Sequence, residues 1–149
     1  MGKKRVAEKT KEELMAEKEK LSQVLKKDVK SKGRRTNEGR VYISSSYNNT
    51  TITLTDKTGN VLAWASAGNI GFKGTKKATP FAASKVAEVL SQKAQKMGIE
   101  KISIFVKGIG GGRDSSIRSL ASRGMDIVSI KDVTPIPHNG CRPPGPRRV

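Results

Sequence analysis

The chain has 149 residues, 30 of them Lys or Arg and 13 Asp or Glu, for a formal net charge of +17. That length suits a single domain, and 34% apolar content with six aromatic residues fills one small core without lining a pocket for a large organic cofactor. Charge of this sign and density selects a polyanionic partner, nucleic acid ahead of an anionic membrane surface, because phosphates release counterions when Lys and Arg neutralise them. The single Cys141 cannot close an intrachain disulfide, which fits a reducing cytoplasm. Apolar runs such as Val61 to Ala65 fall far short of the ~20 residues that span a bilayer. The first residues alternate Lys with Glu and lack the apolar segment of a signal peptide. Position 6, where a myristoylation signal needs Ser or Thr, is Val6, so no membrane partner is expected.

In chain order, residues 1–40 carry 14 basic and seven acidic side chains, net +7. Residues 41–131 carry 13 and five, net +8, and residues 132–149 three and one, net +2. Leu14, Leu21, Val24 and Leu25 recur at helical spacing, which predicts one marginal amphipathic helix from Thr10 to about Val29. Residues 30–39 read as a basic linker, and 1–38 as an extension, helical or disordered, that orders on a partner. Residues 39–134 form the α/β domain and 135–149 an extended tail rich in Pro and Arg.

Within the domain, Val41, Ile43, Ser45 and Tyr47 alternate with Tyr42, Ser44 and Ser46, a half-buried strand. Asn48-Asn49 follows as a tight turn, because Asn tolerates the left-handed region. Thr51 to Thr55 is a second strand, residues 56–60 a second turn, and Val61 to Ala67 a third strand, which makes an antiparallel meander. Thr79-Pro80 opens a helix with Thr as N-cap, Ala83, Val86, Ala87, Leu90, Ala94 and Met97 form its apolar stripe, and Gly98 stops it. Ile102, Ile104 and Val106 mark a fourth strand. A short helix capped by Asp114 or Ser115 packs through Ile117, Leu120 and Ala121 and ends at Gly124, and Ile127 to Val133 is a fifth strand. The order β-β-β-α-β-α-β predicts a five-stranded mixed sheet with right-handed crossovers and two helices, in a ribonuclease-H-like order.

Three segments carry candidate RNA contacts. Residues 68–77 place glycines at every third position, which leaves backbone N–H groups open to an anion, beside Lys73, Lys76 and Lys77. Phe72 either stacks on a base or folds back on the core. Gly108-Ile109-Gly110-Gly111-Gly112-Arg113 lies between a strand and a helix, but Arg113 replaces the third glycine of a dinucleotide loop. It reads instead as a phosphate cradle with Arg113, Arg118 and Arg123. The tail holds five of the six prolines, is unable to form helix or sheet, and suits threading along a phosphate groove with His138, Arg142, Arg147 and Arg148.

Catalysis has little support. His138 and Cys141, the only His and Cys, sit three apart in a Pro-rich tail, and one of each cannot complete a zinc site. A ribonuclease-H-type nuclease needs clustered carboxylates for two metals, whereas the first strand carries none and Glu88 has no acidic partner in view. No cofactor, metal or enzymatic activity is therefore expected. Asn139-Gly140 has a chemistry of its own, since the unshielded Gly amide can attack the Asn side chain to give a succinimide and then isoaspartate. The same pair also makes a common turn.

These residues resemble the universal small-subunit ribosomal protein family numbered eleven, in its bacterial form. The resemblance rests on Trp64 to Gly68, on Gly71 to Gly74 with Thr79 to Ala83, and on Gly110 to Arg113. Its most specific part is the run from Asp132 to Pro144, and it covers residues 38–149. It implies a structural role in the cytoplasmic ribosome, not catalysis. Such proteins bind small-subunit rRNA in the platform and help shape the cleft through which mRNA leaves, near the Shine-Dalgarno region. They neighbour the small-subunit proteins numbered seven and eighteen. The resemblance also implies that Asn139 becomes isoaspartate. Asn48 and Asn49 join His138 and the cations among the expected rRNA contacts. Two departures stand out: bacterial relatives usually have a much shorter basic start, and they commonly carry lysines where this chain reads Pro143 to Arg148. Against this reading stand an architectural DNA-binding protein and a ribonuclease-H-like nuclease.

Overall fold

A computed structural model describes residues 37–142 and 144–145. The expected helix over residues 10–29, residues 30–36 of the linker, and Arg147 and Arg148 lie outside the described residues. Five strands and two helices follow one another as β1 (Glu38–Ser45), β2 (Thr50–Thr55), β3 (Val61–Ser66), α1 (Pro80–Lys96), β4 (Lys101–Lys107), α2 (Arg113–Ser122) and β5 (Asp126–Asp132). They form one sheet in the order β3-β2-β1-β4-β5. β2 lies antiparallel to β1 and to β3, while β4 lies parallel to β1 and to β5, so the mixed α/β sheet is the one the sequence pattern predicts.

Local chemistry sets each element. Along β1 every second residue is buried, with Gly39, Val41, Ile43 and Ser45 on the inner face. α1 starts where Thr79 accepts a hydrogen bond from the Ala82 N–H at 3.2 Å and Pro80 occupies the first turn. It ends at Gly98, whose φ of 77° lets the Gly98 and Ile99 N–H groups close back on Gln95 and Ala94. The inner face of the sheet supplies Val41, Ile43, Ile52, Leu54, Ile102, Ile104 and Val106, and α1 meets it with Ala82, Val86, Ala87 and Leu90. The alanines bring the helix backbone close to β2 and β3, and α2 leans on α1 and reaches β1.

Four expectations are corrected. Tyr47 does not continue β1: it is exposed, because Ser46 turns the chain first. That turn does not use a left-handed Asn either. The Ser46 N–H donates to the Asn49 carbonyl at 2.9 Å and the Ser46 hydroxyl accepts from the Asn49 N–H at 3.1 Å. Gly112, with neither Asp114 nor Ser115 in that role, is the N-cap of α2, and no side chain caps it. The Ser115 and Ser116 hydroxyls point back to the Gly112 carbonyl instead. β1 already begins at Glu38, ahead of Val41, and β5 runs Asp126–Asp132 in place of Ile127 to Val133.

Candidate nucleic-acid interface

The topology gathers most of the candidate residues at one end of the sheet. β1, β4 and β5 finish there, β2 begins there and β3 finishes there, so the segments after Ser45, Ser66, Lys107 and Asp132 all leave from that end. Hydrogen bonds join them. The Ala67 N–H donates to the Thr50 carbonyl at 3.1 Å, the Gly110 N–H to the Ser45 carbonyl at 3.0 Å, and the Gly108 N–H to the Thr134 hydroxyl at 3.2 Å. Both helices also start at this end, and α1 has no acidic residue in its first turn, so its dipole favours an anion there. Asn48 and Asn49 occupy the neighbouring turn, Asn48 exposed and Asn49 half-buried with its Oδ1 shielded and without a hydrogen-bond partner.

In the 68–77 segment the backbone is largely committed to itself. The Ile70 N–H donates to the Ser66 carbonyl, Gly71 to Gly68, Phe72 to Ala67 and Asn69 to the Ser66 hydroxyl. Four of the amides expected to face an anion, those of residues 69–72, are thus occupied, and the charge there is left to side chains. Lys73 and Lys76 are exposed and Lys77 half-buried, the last two in a 3-10 helix over Gly74–Ala78 that runs into Thr79. None of the three makes an ion pair among the described residues. Phe72 takes the inward option, half-buried against the core with its ring edge-on to Phe81 at 6.1 Å.

The glycines at 108–112 serve close packing. A Cβ on Gly108 or Gly110 would run into the backbone of Ser45 or Ser46, and one on Gly112 would lie 2.9 Å from the Ala83 Cβ. Arg113 is likewise engaged. Its guanidinium donates to the Gly108 carbonyl, to the Thr134 hydroxyl at 3.3 Å and to the Asp132 carboxylate at 2.6 Å. It therefore ties the loop to the start of the tail. The Thr134 hydroxyl, then Arg113, hold the Asp132 carboxyl down at about 2.

Arg118 within α2 and Arg123 at its C-cap part company. Arg118 is exposed, has no ion pair among the described residues, and borders an open cleft of about 620 Å³ with Ser84, Ser115, Ser119 and Ser122. Arg123 lies at the opposite end of α2, where it pairs with Glu88 at 2.7 Å, so it is not brought to the gathered end. Glu88 is also held by Lys85 at 2.9 Å, two cations that account for its carboxylate. In the tail, His138, Asn139 and Arg142 are exposed, and Asn139 has a φ of 53°, the only positive value among the described non-glycine residues.

The sequence pattern passed over the sheet face that no helix among the described residues covers, where Tyr42, Trp64 and Phe105 stand. Their outward positions in three alternating strands were the available signal. A family model described as ribosomal protein S11 matches residues 39–148. The chain is 57% identical over 112 residues to the small ribosomal subunit protein uS11 of Treponema pallidum subsp. pallidum, a match that covers 75% of this chain and 89% of that one. The same figures hold for the uS11 protein of Treponema pallidum strain Nichols.

Proposed function

The chain belongs to the ribosomal protein S11 family, a structural and non-enzymatic one, and from that premise we propose that it binds small-subunit rRNA in the platform and helps shape the mRNA exit cleft. As a constituent of the small ribosomal subunit it has rRNA and other ribosomal proteins as partners. The observation that carries the finer reading is the convergence of Lys73, Lys76 and Lys77, without ion pairs among the described residues, the Asn48-Asn49 turn and the arginine-anchored start of the tail at one end of the sheet. Phosphate contacts from such a surface read backbone position and shape more than base sequence. On this reading the exposed Arg118, His138 and Arg142 extend the contact. Arg123, paired with Glu88 at the far end of α2, stands apart from that surface. On this reading Arg147 and Arg148 prolong the tail's contact, and the small-subunit proteins numbered seven and eighteen and the emerging mRNA lie alongside.

Competition binding separates this from an architectural DNA-binding role. The protein is expected to hold a platform rRNA fragment at least tenfold more tightly than duplex DNA of equal length at matched salt, and equal affinities would dismiss the rRNA reading. Asn139 is the second element of the proposal. It is exposed, left-handed and followed by glycine, so the Gly140 nitrogen can attack its side-chain carbonyl, expel ammonia and leave a succinimide that water opens to isoaspartate. Peptide mapping of ribosome-derived protein is expected to find isoaspartate at 139, and a map with Asn alone would remove the modification.

A further inference from the structure

Both helices cover one face of the sheet, and on the other face the strand register builds a straight row. Trp64 pairs with Thr53, Thr53 with Tyr42, Tyr42 with Phe105 and Phe105 with Lys131, one residue from each of the five strands. All five positions are exposed or half-buried, and Trp64 keeps 52% of its surface in solvent. At about 4.8 Å per strand the row is about 19 Å long. Tyr42 and Phe105 already stack on each other, with ring centroids 5.0 Å apart and planes 17° apart. Between Trp64 and Tyr42 stands only the short Thr53. Two strand spacings there give about 9.6 Å, and a base between two rings at ordinary stacking distance needs about 6.8 Å.

The neighbouring rows add hydroxyls and cations. Ser66, Thr51, Ser44 and Lys107 are paired in series on one side, and Arg40 faces Ser103 on the other. Arg40, Lys107 and Lys131 are exposed and make no ion pair among the described residues, while Glu38 at the margin is already held by Lys57 at 2.6 Å. Rings alone would fit a protein partner. Rings with room for a base between them, hydroxyls beside them and cations without ion pairs among the described residues fit an unpaired nucleotide strand, which stacks its bases and neutralises its phosphates together.

We propose that the sheet face opposite α1 and α2 binds an unpaired RNA segment, stacking two or three bases on Trp64, Tyr42 and Phe105 while Arg40, Lys107 and Lys131 meet its phosphates. The inference rests on the chain being an RNA-binding protein but uses a surface separate from the gathered loops and tail. Trp64 is the only tryptophan, so its fluorescence reports on this face directly. Titration of the full chain with oligoadenylate of about a dozen nucleotides is expected to quench it saturably, and duplex RNA of that length is expected not to. Tyr42→Ala should weaken oligoadenylate binding roughly tenfold, and Lys107→Glu with Lys131→Glu, which leave the core untouched, should weaken it further. Lys73→Ala, Lys76→Ala and Lys77→Ala together should lower affinity for a platform rRNA fragment and leave the quenching in place. Absence of quenching with rRNA-fragment binding intact overturns the sheet-face site and spares the proposed function. Absence of binding to both RNAs overturns both readings. Quenching by another small-subunit protein but not by RNA makes the face a protein interface and overturns the proposal.

Discussion

Replacing Gly108 by alanine is expected to destabilise the protein by about 3 kcal/mol or more, whereas alanine at Gly111 changes stability by no more than about 0.5 kcal/mol. Gly108 has a φ of 96°, a region that L side chains rarely adopt, and a Cβ there would drive into the Ser45 carbonyl, with the Ser45 carbonyl carbon at 3.1 Å. Two costs therefore add, backbone strain and overpacking against main chain that cannot rotate away. Gly111 has an ordinary φ and nothing within 4 Å of where a Cβ would sit, so the same added methyl meets no resistance. For a domain of this size the Gly108 variant should melt about 12 °C lower than the parent. Melting curves followed by circular dichroism decide the matter, and equal midpoints for the two variants would show that the loop is not packed on β1.

The largest expected effect on binding comes from Lys73→Ala, Lys76→Ala and Lys77→Ala made together. Each phosphate contact contributes about one unit to the slope of log affinity against log salt, so the slope should fall by up to about three and affinity for a platform rRNA fragment by roughly a hundredfold near physiological salt. These lysines make no ion pair among the described residues, and their charge is available to a ligand. Arg113→Ala is expected to behave differently. Its charge is already met by Asp132, and its loss unfastens Gly108 and Thr134, so the slope should move by less than about one unit. Salt titrations of the two variants side by side supply the comparison. A larger slope change for Arg113→Ala than for the triple variant would reverse the assignment.

Much of this fold was legible because its signals are local. The alternation of Val41, Ile43 and Ser45 in β1 and of Ile52 and Leu54 in β2, the Thr79-Pro80 start of α1 and the Gly98 and Gly124 stops each depend on a few consecutive residues, and the structure bears these out. Where the reading slipped, a nearby competitor won. The Ser46 side chain closed a turn assigned to asparagine, and Gly112 took a cap assigned to Asp114 or Ser115. The glycines at 108–112 were visible, but their reason was not, since Ser45, Ser46 and Ala83 lie far away in the chain.

The amino-acid sequence by itself determined the excess of cations, the strand and helix periods, and the motifs of the S11 family, because each is a property of composition or of near neighbours. Only the tertiary structure decided which cations remain free. Folding sets Asp132 against Arg113 and Glu88 against Arg123, and leaves Lys73, Lys76, Lys77 and Arg118 without such partners among the described residues. It also aligned Trp64, Tyr42 and Phe105 in one row, since strand register is set by pairing between segments distant in the chain.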